Sequence, residues 1–185
     1  MIASAIVSVV PELIMPTERL HSSWLAAREE WPPGAHQDGT GLRLAGAEDL
    51  GAPEGFALWV DLLHRQSKAS APVGEGRVHA THWWIAEGDH YLGAIDLRHY
   101  LNDFLLETGG HIGYSVRPSA RQRGLATWAL GAVLPVARER GLDRVLVTCA
   151  EGNAPSARTI ERNGGVLQDV RESEVGAVRR YWITL

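Results

Sequence analysis

At 185 residues the chain is long enough for one well-filled core and too short for two ordinary domains, so residues 1–185 are expected to form a single domain. With 45% hydrophobic and 22% charged residues it has the composition of a soluble globular protein, and no apolar run is long enough to span a bilayer. The net charge of −4 argues against a nucleic-acid binder that works through bulk electrostatics and leaves room for a cationic substrate such as an amine.

The apolar opening from Met1 to Val7 lacks a basic region and runs straight into patterned sequence, so it is not read as a secretory signal. Cys149 is the single cysteine, which excludes an internal disulfide and makes a cytoplasmic location the default. Seven tryptophans stand against two phenylalanines. Core packing is the plain reading of them, and lining an acceptor pocket the functional one.

In chain order, Ile6–Val10 is a β-branched run and an expected first strand. Pro16-Thr17 offers a helix start, with Leu20, Trp24, Leu25 and Ala27 on one face and an end near Trp31. Residues 32–41, rich in Pro and Gly, form a loop. A second helix follows Pro53, where Phe56, Trp59, Val60 and Leu63 fall at i, i+3, i+4 and i+7. Thr81–Glu87 and Tyr91–Arg98 then read as an antiparallel hairpin across Gly88-Asp89, and His111–Val116 as a further strand ended by Pro118.

The longest helix is expected from Leu125 to about Arg140. Its apolar face comprises Leu125, Ala129, Ala132, Val133, Val136 and Ala137, with Gly141 beyond its end. Pro135 lies inside it with Gly131 at i−4, which predicts a tolerated kink. Arg144–Cys149 is a strand, Pro155 opens a short helix closing at Asn163-Gly164-Gly165, and Val166–Val170 and Val178–Thr184 are the last strands. The order β-α-α-β-β-β-α-β-α-β-β predicts an α/β fold with a mixed sheet and helices on both faces.

The chemistry concentrates between Gly113 and Gly165. A strand ends in Val116-Arg117-Pro118, and the connection to the long helix holds Arg121-Gln122-Arg123-Gly124-Leu125-Ala126. Small residues at Gly124 and Ala126, unpartnered N–H groups at the helix start and two arginines together suit a pyrophosphate. A P-loop needs Gly-Lys-Ser/Thr at this point and the dinucleotide fingerprint needs three glycines, and both are missing. Alone, such a loop is equally an ordinary helix start with solvated arginines.

The next strand is followed by Asn153-Ala154-Pro155-Ser156. Taken together, Val116-Arg117-Pro118, Arg121-x-x-Gly124-x-Ala126 and Asn153-x-x-Ser156 resemble, in order and spacing, the core motif of the GNAT superfamily of N-acetyltransferases. The motif covers about a third of the chain, and the element order extends it to nearly all.

The resemblance implies acetyl-CoA as cosubstrate, no metal, an amine acceptor and a possible homodimer, with neither nucleic acid nor membrane as partner. It also implies a central strand pair that splays apart around the pantetheine arm. The backbone of Tyr114, Ser115 and Val116 would hold that arm and polarise the thioester carbonyl. Arg121, Gln122, Arg123, Gly124, Leu125 and Ala126 would hold the pyrophosphate. Asn153 would contact the arm, alongside or instead of capping the helix, and Ser156 would lie near the thiol.

The implied reaction is direct attack of an amine on the thioester, which needs a base. Glu107 and His111 are the candidates, against a surface or structural role for each. Strand alternation sets His111 on the opposite face from Tyr114 and Val116 unless a bulge intervenes. Many relatives place a thiolate-protonating tyrosine seven residues after the motif asparagine, where this chain has Ile160. Tyr114 or water would have to serve instead. No neighbour in sequence activates Cys149 as a nucleophile. Trp24, Trp31, Trp59, His64, Trp83 and Trp84 are candidates for the acceptor site. The rival readings are an acyl-CoA sensor without catalysis and a nucleotide or phosphosugar binder using the same loop.

Overall fold

The computed structural model describes residues 10–174 and 176–185. Its elements run β1 (Glu12–Ile14), α1 (His21–Glu29), α2 (Pro53–Gln66), β2 (Ala80–Glu87), β3 (His90–Arg98), β4 (Ile112–Val116), α3 (Leu125–Glu139), β5 (Arg144–Ala150), α4 (Ala154–Arg162), β6 (Val166–Arg171) and β7 (Val178–Thr184). The expected first strand, Ile6–Val10, lies outside the described residues apart from Val10, and β1 follows it. No helix among the described residues is long and apolar enough to cross a membrane.

The seven strands form one sheet in the order β1-β2-β3-β4-β5-β7-β6. All neighbours are antiparallel except β4 and β5, which α3 joins as a crossover. Period-two alternation in β2 and β3 divides the apolar residues between two faces. Trp84, Ala86 and Ala94 pack with Phe56, Trp59 and Leu63 of α2 and Leu20, Trp24 and Ala27 near α1. Ile85, Ile95 and Leu97 pack with Leu125, Ala129 and Val133 of α3.

The stripe on α2 is buried as its spacing predicts. On α3 the buried set is Leu125, Ala129, Leu130, Val133 and Ala137, whereas Ala132 is exposed. At 100° per residue Ala132 falls just outside the arc those five residues define. The helix continues through Pro135, whose ring is exposed.

The parallel pair is the irregular place in the sheet. Only Ile112 and Val147 are in register between β4 and β5. Just before that point the His111 N–H donates to the Leu146 carbonyl at 2.7 Å, and the Leu146 N–H donates to His111 Nδ1 at 2.9 Å. The imidazole thus stands in for a backbone acceptor and closes one end of the gap. Tyr114, Ser115 and Val116 have register partners in β3 but none in β5.

Candidate active site

Two clefts open from this gap. One, of about 870 Å³, lies along β4, the loop before α3, the end of β5 and the start of α4. Tyr114, Ser115, Val116, Arg121, Gln122, Gly124, Leu125, Ala126, Asn153 and Ser156 all line it. Arg123 does not, because its guanidinium pairs with Glu87. The loop between β4 and α3 passes through two left-handed residues, Gln122 (φ 63°) and Gly124 (φ 77°). Such kinks turn successive N–H groups toward one point, and the first N–H groups of α3 add to them. A Cβ at Gly124 would meet no protein atom within 4 Å, so within the chain itself it is the left-handed conformation that calls for glycine.

The loop is anchored from outside. Glu30 receives the Arg117 guanidinium and, through Oε2, the Ser119 N–H at 2.9 Å. The Arg117 hydrogen bond, helped by Ser119 against the cost of burial, lowers the Glu30 pKa from 4.5 to about 2. Arg121 lies over the Trp31 ring with Cζ 4.8 Å from its centroid. Sequence reasoning missed Arg158 and Arg162, which also line the cleft. Their i, i+4 spacing on one helix face was the available signal.

Asn153 lines the cleft and caps α4, its Oδ1 accepting from the Ser156 N–H at 3.2 Å. The Tyr114 hydroxyl is 2.7 Å from Ser156 Oγ. Burial raises the Tyr114 pKa, with the Ser156 hydrogen bond opposing, so the phenol keeps its proton. Cys149 lines the same cleft, and burial raises its pKa too, which keeps it a thiol rather than a nucleophilic thiolate. Ile160, seven residues after Asn153, is fully buried.

The second cleft, of about 670 Å³, lies on the α2 side and includes the loop at residues 36–41, His82, Asp96, Arg98 and the turn at 104–109. The two clefts share His36, Asp38, Thr148, Cys149 and Ala150. Their junction is organised by Arg98, whose Nη2 donates to Asp38 Oδ1 at 2.8 Å and whose Nε donates to Asp96 Oδ2 at 3.2 Å. Burial disfavours the Arg98 charge, but Asp96 and Asp38 outweigh it and raise the pKa. Asp96 Oδ1 accepts the Gly113 N–H at 2.8 Å, tying the cluster to β4. A Cβ at Gly113 would collide with Asp38 Oδ1, and one at Gly39 with the Gly113 carbonyl. Two bare backbones are therefore what let this loop reach the strand.

The structure does not bring the two expected bases to this junction. Glu107 is on the surface, paired with Arg171. His111 is 5% exposed, and its Nδ1 is committed to the Leu146 N–H. Burial, with a smaller contribution from the Arg98 charge, lowers its pKa from 6.5 to about 4. The β3–β4 register is regular from Ile112 to Val116, so no bulge reverses the alternation that separates His111 from Tyr114. Asp38 and His36, in a loop with no periodicity to mark it, occupy the position instead.

The tryptophans are mostly packing residues. Trp24, Trp59 and Trp84 form one aromatic cluster with Phe56, Trp83 packs against the α3 side, and His64 Nε2 is bonded to the Pro16 carbonyl at 2.7 Å. Of the six acceptor candidates Trp31 alone lines either of these two clefts, and it lines the one beside the Arg121 loop.

Residues 16–166 match the family described as the acetyltransferase (GNAT) domain. The chain belongs to the GNAT acetyltransferase family. It is thus an acetyltransferase of the class that takes its acetyl group from acetyl-CoA, and the splayed β4–β5 pair is the fold's hallmark in it. No curated protein sequence matches the chain. Among solved structures, a Salmonella typhimurium acetyltransferase that modifies the N-terminal serine of ribosomal protein L7/L12 is 17% identical, with 97% of each chain covered and a TM-score of 0.64. A ribosomal-protein-S5-alanine acetyltransferase from Vibrio fischeri is 15% identical over 94% of this chain and 91% of its own, at a TM-score of 0.65. The microcin C7 self-immunity acetyltransferase MccE, solved with acetyl-CoA and AMP, is 14% identical over 95% and 92%, at 0.65. At these identities the GNAT likeness is one of fold.

Proposed function

We propose that this protein is an N-acetyltransferase that moves the acetyl group of acetyl-CoA to a primary amine by direct attack within a ternary complex, with residues 1–185 acting as one domain. The observation that carries this reading is the meeting of two clefts at Asp38, where one cleft runs past the Arg121–Ala126 loop and the other opens on the opposite side. In this reading the loop amides, with Arg121, Arg158 and Arg162, hold the phosphates. The unpaired edge of Tyr114–Val116 takes the pantetheine arm and directs N–H groups at the thioester carbonyl.

The amine enters from the second cleft and loses a proton to the Asp38–His36 pair, whose nearest atoms are 3.9 Å apart. Its nitrogen attacks the carbonyl carbon, the C–S bond breaks, the thiolate takes the proton of the Tyr114 hydroxyl, and the second proton shed by the nitrogen returns through water to the Tyr114 oxygen. Asp38 suits the first role because Arg98 and the Gly39 N–H both bind Oδ1, and no hydrogen bond among the described residues reaches Oδ2. Tyr114 suits the second because it keeps its proton and is oriented by Ser156.

Release of free thiol from acetyl-CoA, followed with a chromogenic disulfide across a panel of amines, tests the reading. Acceptor-dependent release is expected. Stabilisation by acetyl-CoA without release for any amine would leave a binding module, and no stabilisation at all would point to another phosphate ligand.

A further inference from the structure

The second cleft has a charge opposite to that of the whole chain. Its lining holds three arginines, Arg43, Arg77 and Arg98, against two carboxylates, Asp38 and Asp96, in a protein of net charge −4. Both carboxylates are bound by Arg98 at the inner end. Arg43 and Arg77 form no ion pair among the described residues. They are linked, since Arg77 Nη2 donates to the Arg43 carbonyl at 3.1 Å, and neither lines the cleft of the Arg121 loop. The cleft therefore has carboxylates bound by Arg98 where it meets the first cleft, and two exposed arginines without an ion pair elsewhere in its lining.

The cleft is also lined by a buried imidazole. His82 is 3% exposed and lines it, and its Nε2 has no hydrogen-bond partner. His82 Nδ1 lies 3.5 Å from the Gly39 carbonyl, in the loop that carries Asp38.

We propose that the acceptor is a small primary amine bearing an anionic group, a carboxylate or a phosphate, at its far end. Its amine lies against Asp38 and its anion between Arg43 and Arg77. This rests on the acetyl-transfer reading above. It is narrower, because the net charge of the chain leaves room for cationic acceptors such as polyamines, whereas the local charge of the cleft favours an anionic end. A volume of about 670 Å³ suits a small molecule.

The test uses matched acceptors with acetyl-CoA and the full chain. ω-Amino carboxylates of two to five methylenes are compared with their amides, phosphoethanolamine with ethanolamine, and spermidine serves as the polycation. The expected result is a kcat/KM about tenfold or more higher for the anionic member of at least one pair, falling as salt is raised. The carboxylate and phosphate arms tell which anion is read. In the double variant Arg43→Gln, Arg77→Gln that preference is expected to shrink below about threefold. Its acetyl-CoA-induced thermal shift shows that the variant is folded. Equal or better turnover of amides, ethanolamine or spermidine overturns the inference and leaves the acetyl-transfer reading standing. Survival of the preference in the double variant overturns the assignment to Arg43 and Arg77. No thiol release with any amine, despite stabilisation by acetyl-CoA, removes the underlying reading and the inference with it.

Discussion

Arg98 donates to Asp38 across 2.8 Å, and through this contact β3 fixes a loop carboxylate at the junction of the two clefts. A half-buried, doubly paired arginine is a stiff support. Asp38→Asn keeps the size and a hydrogen-bond acceptor but removes the base. A fall in kcat/KM of about 10²-fold or more is expected, with acetyl-CoA binding retained. Steady-state kinetics check it. If Asp38→Asn is nearly silent and His36→Gln carries the loss, the imidazole is the base and Asp38 only orients it.

Gly113→Ala tests the close approach of loop and strand. The added methyl meets Asp38 Oδ1 and Arg98 Nη2. Overpacking of this kind costs about 1–3 kcal/mol, and displacing Asp38 should lower kcat beyond what the loss of folded protein explains. Thermal unfolding and kinetics on the same sample separate the two effects.

Tyr114→Phe removes the hydroxyl bound to Ser156 and leaves the ring. The expected outcome is a drop in kcat of about 10²-fold with little change in the KM for acetyl-CoA, since the lost interaction is with the departing sulfur. Unchanged turnover would assign the thiolate's proton to water.

Arg158→Gln and Arg162→Gln should each raise the KM for acetyl-CoA about tenfold and flatten its dependence on salt. Arg123→Gln should move it less than about twofold, because Arg123 pairs with Glu87 at the surface. Initial rates at two ionic strengths decide between them.

Acid should destabilise the fold in two steps. The folded-state pKa values of His111 and His99 are both lowered from 6.5 to about 4, chiefly by burial, then by the charges of Arg98 and Arg140 respectively. Between pH 6.5 and 4 the unfolded chain binds more protons there, so stability present above 6.5 is lost as pH falls through this window. Glu30, held near 2 by Arg117, adds a further loss between about 4.5 and 2. Melting temperature against pH shows both, and Glu30→Gln should lower the neutral-pH value and flatten the second step. A flat curve between pH 6.5 and 4 would show that the buried imidazoles do not control acid stability.

Local spacing was enough for much of this protein. The apolar stripe of Phe56, Trp59, Val60 and Leu63 and the paired β2–β3 runs have one low-energy arrangement each, because period and burial agree. The loop at Arg121–Ala126 and the asparagine cap at Asn153 were legible for the same reason. Backbone geometry at a helix start depends on the few residues next to it. Proton chemistry depends instead on residues far apart in sequence. Asp38 becomes a candidate base only because β3 supplies Arg98, sixty positions later, and β4 supplies a bare Gly113. His111 looked apt by residue type, yet it lies where the sheet needed an acceptor for the Leu146 N–H, and that bond claims its Nδ1 lone pair. The sequence alone determined the fold and the backbone turn at Arg121–Ala126. Which side chains meet the reacting atoms was decided by sheet register and by the loop folded over it, since burial and charge at that junction are sums over distant neighbours.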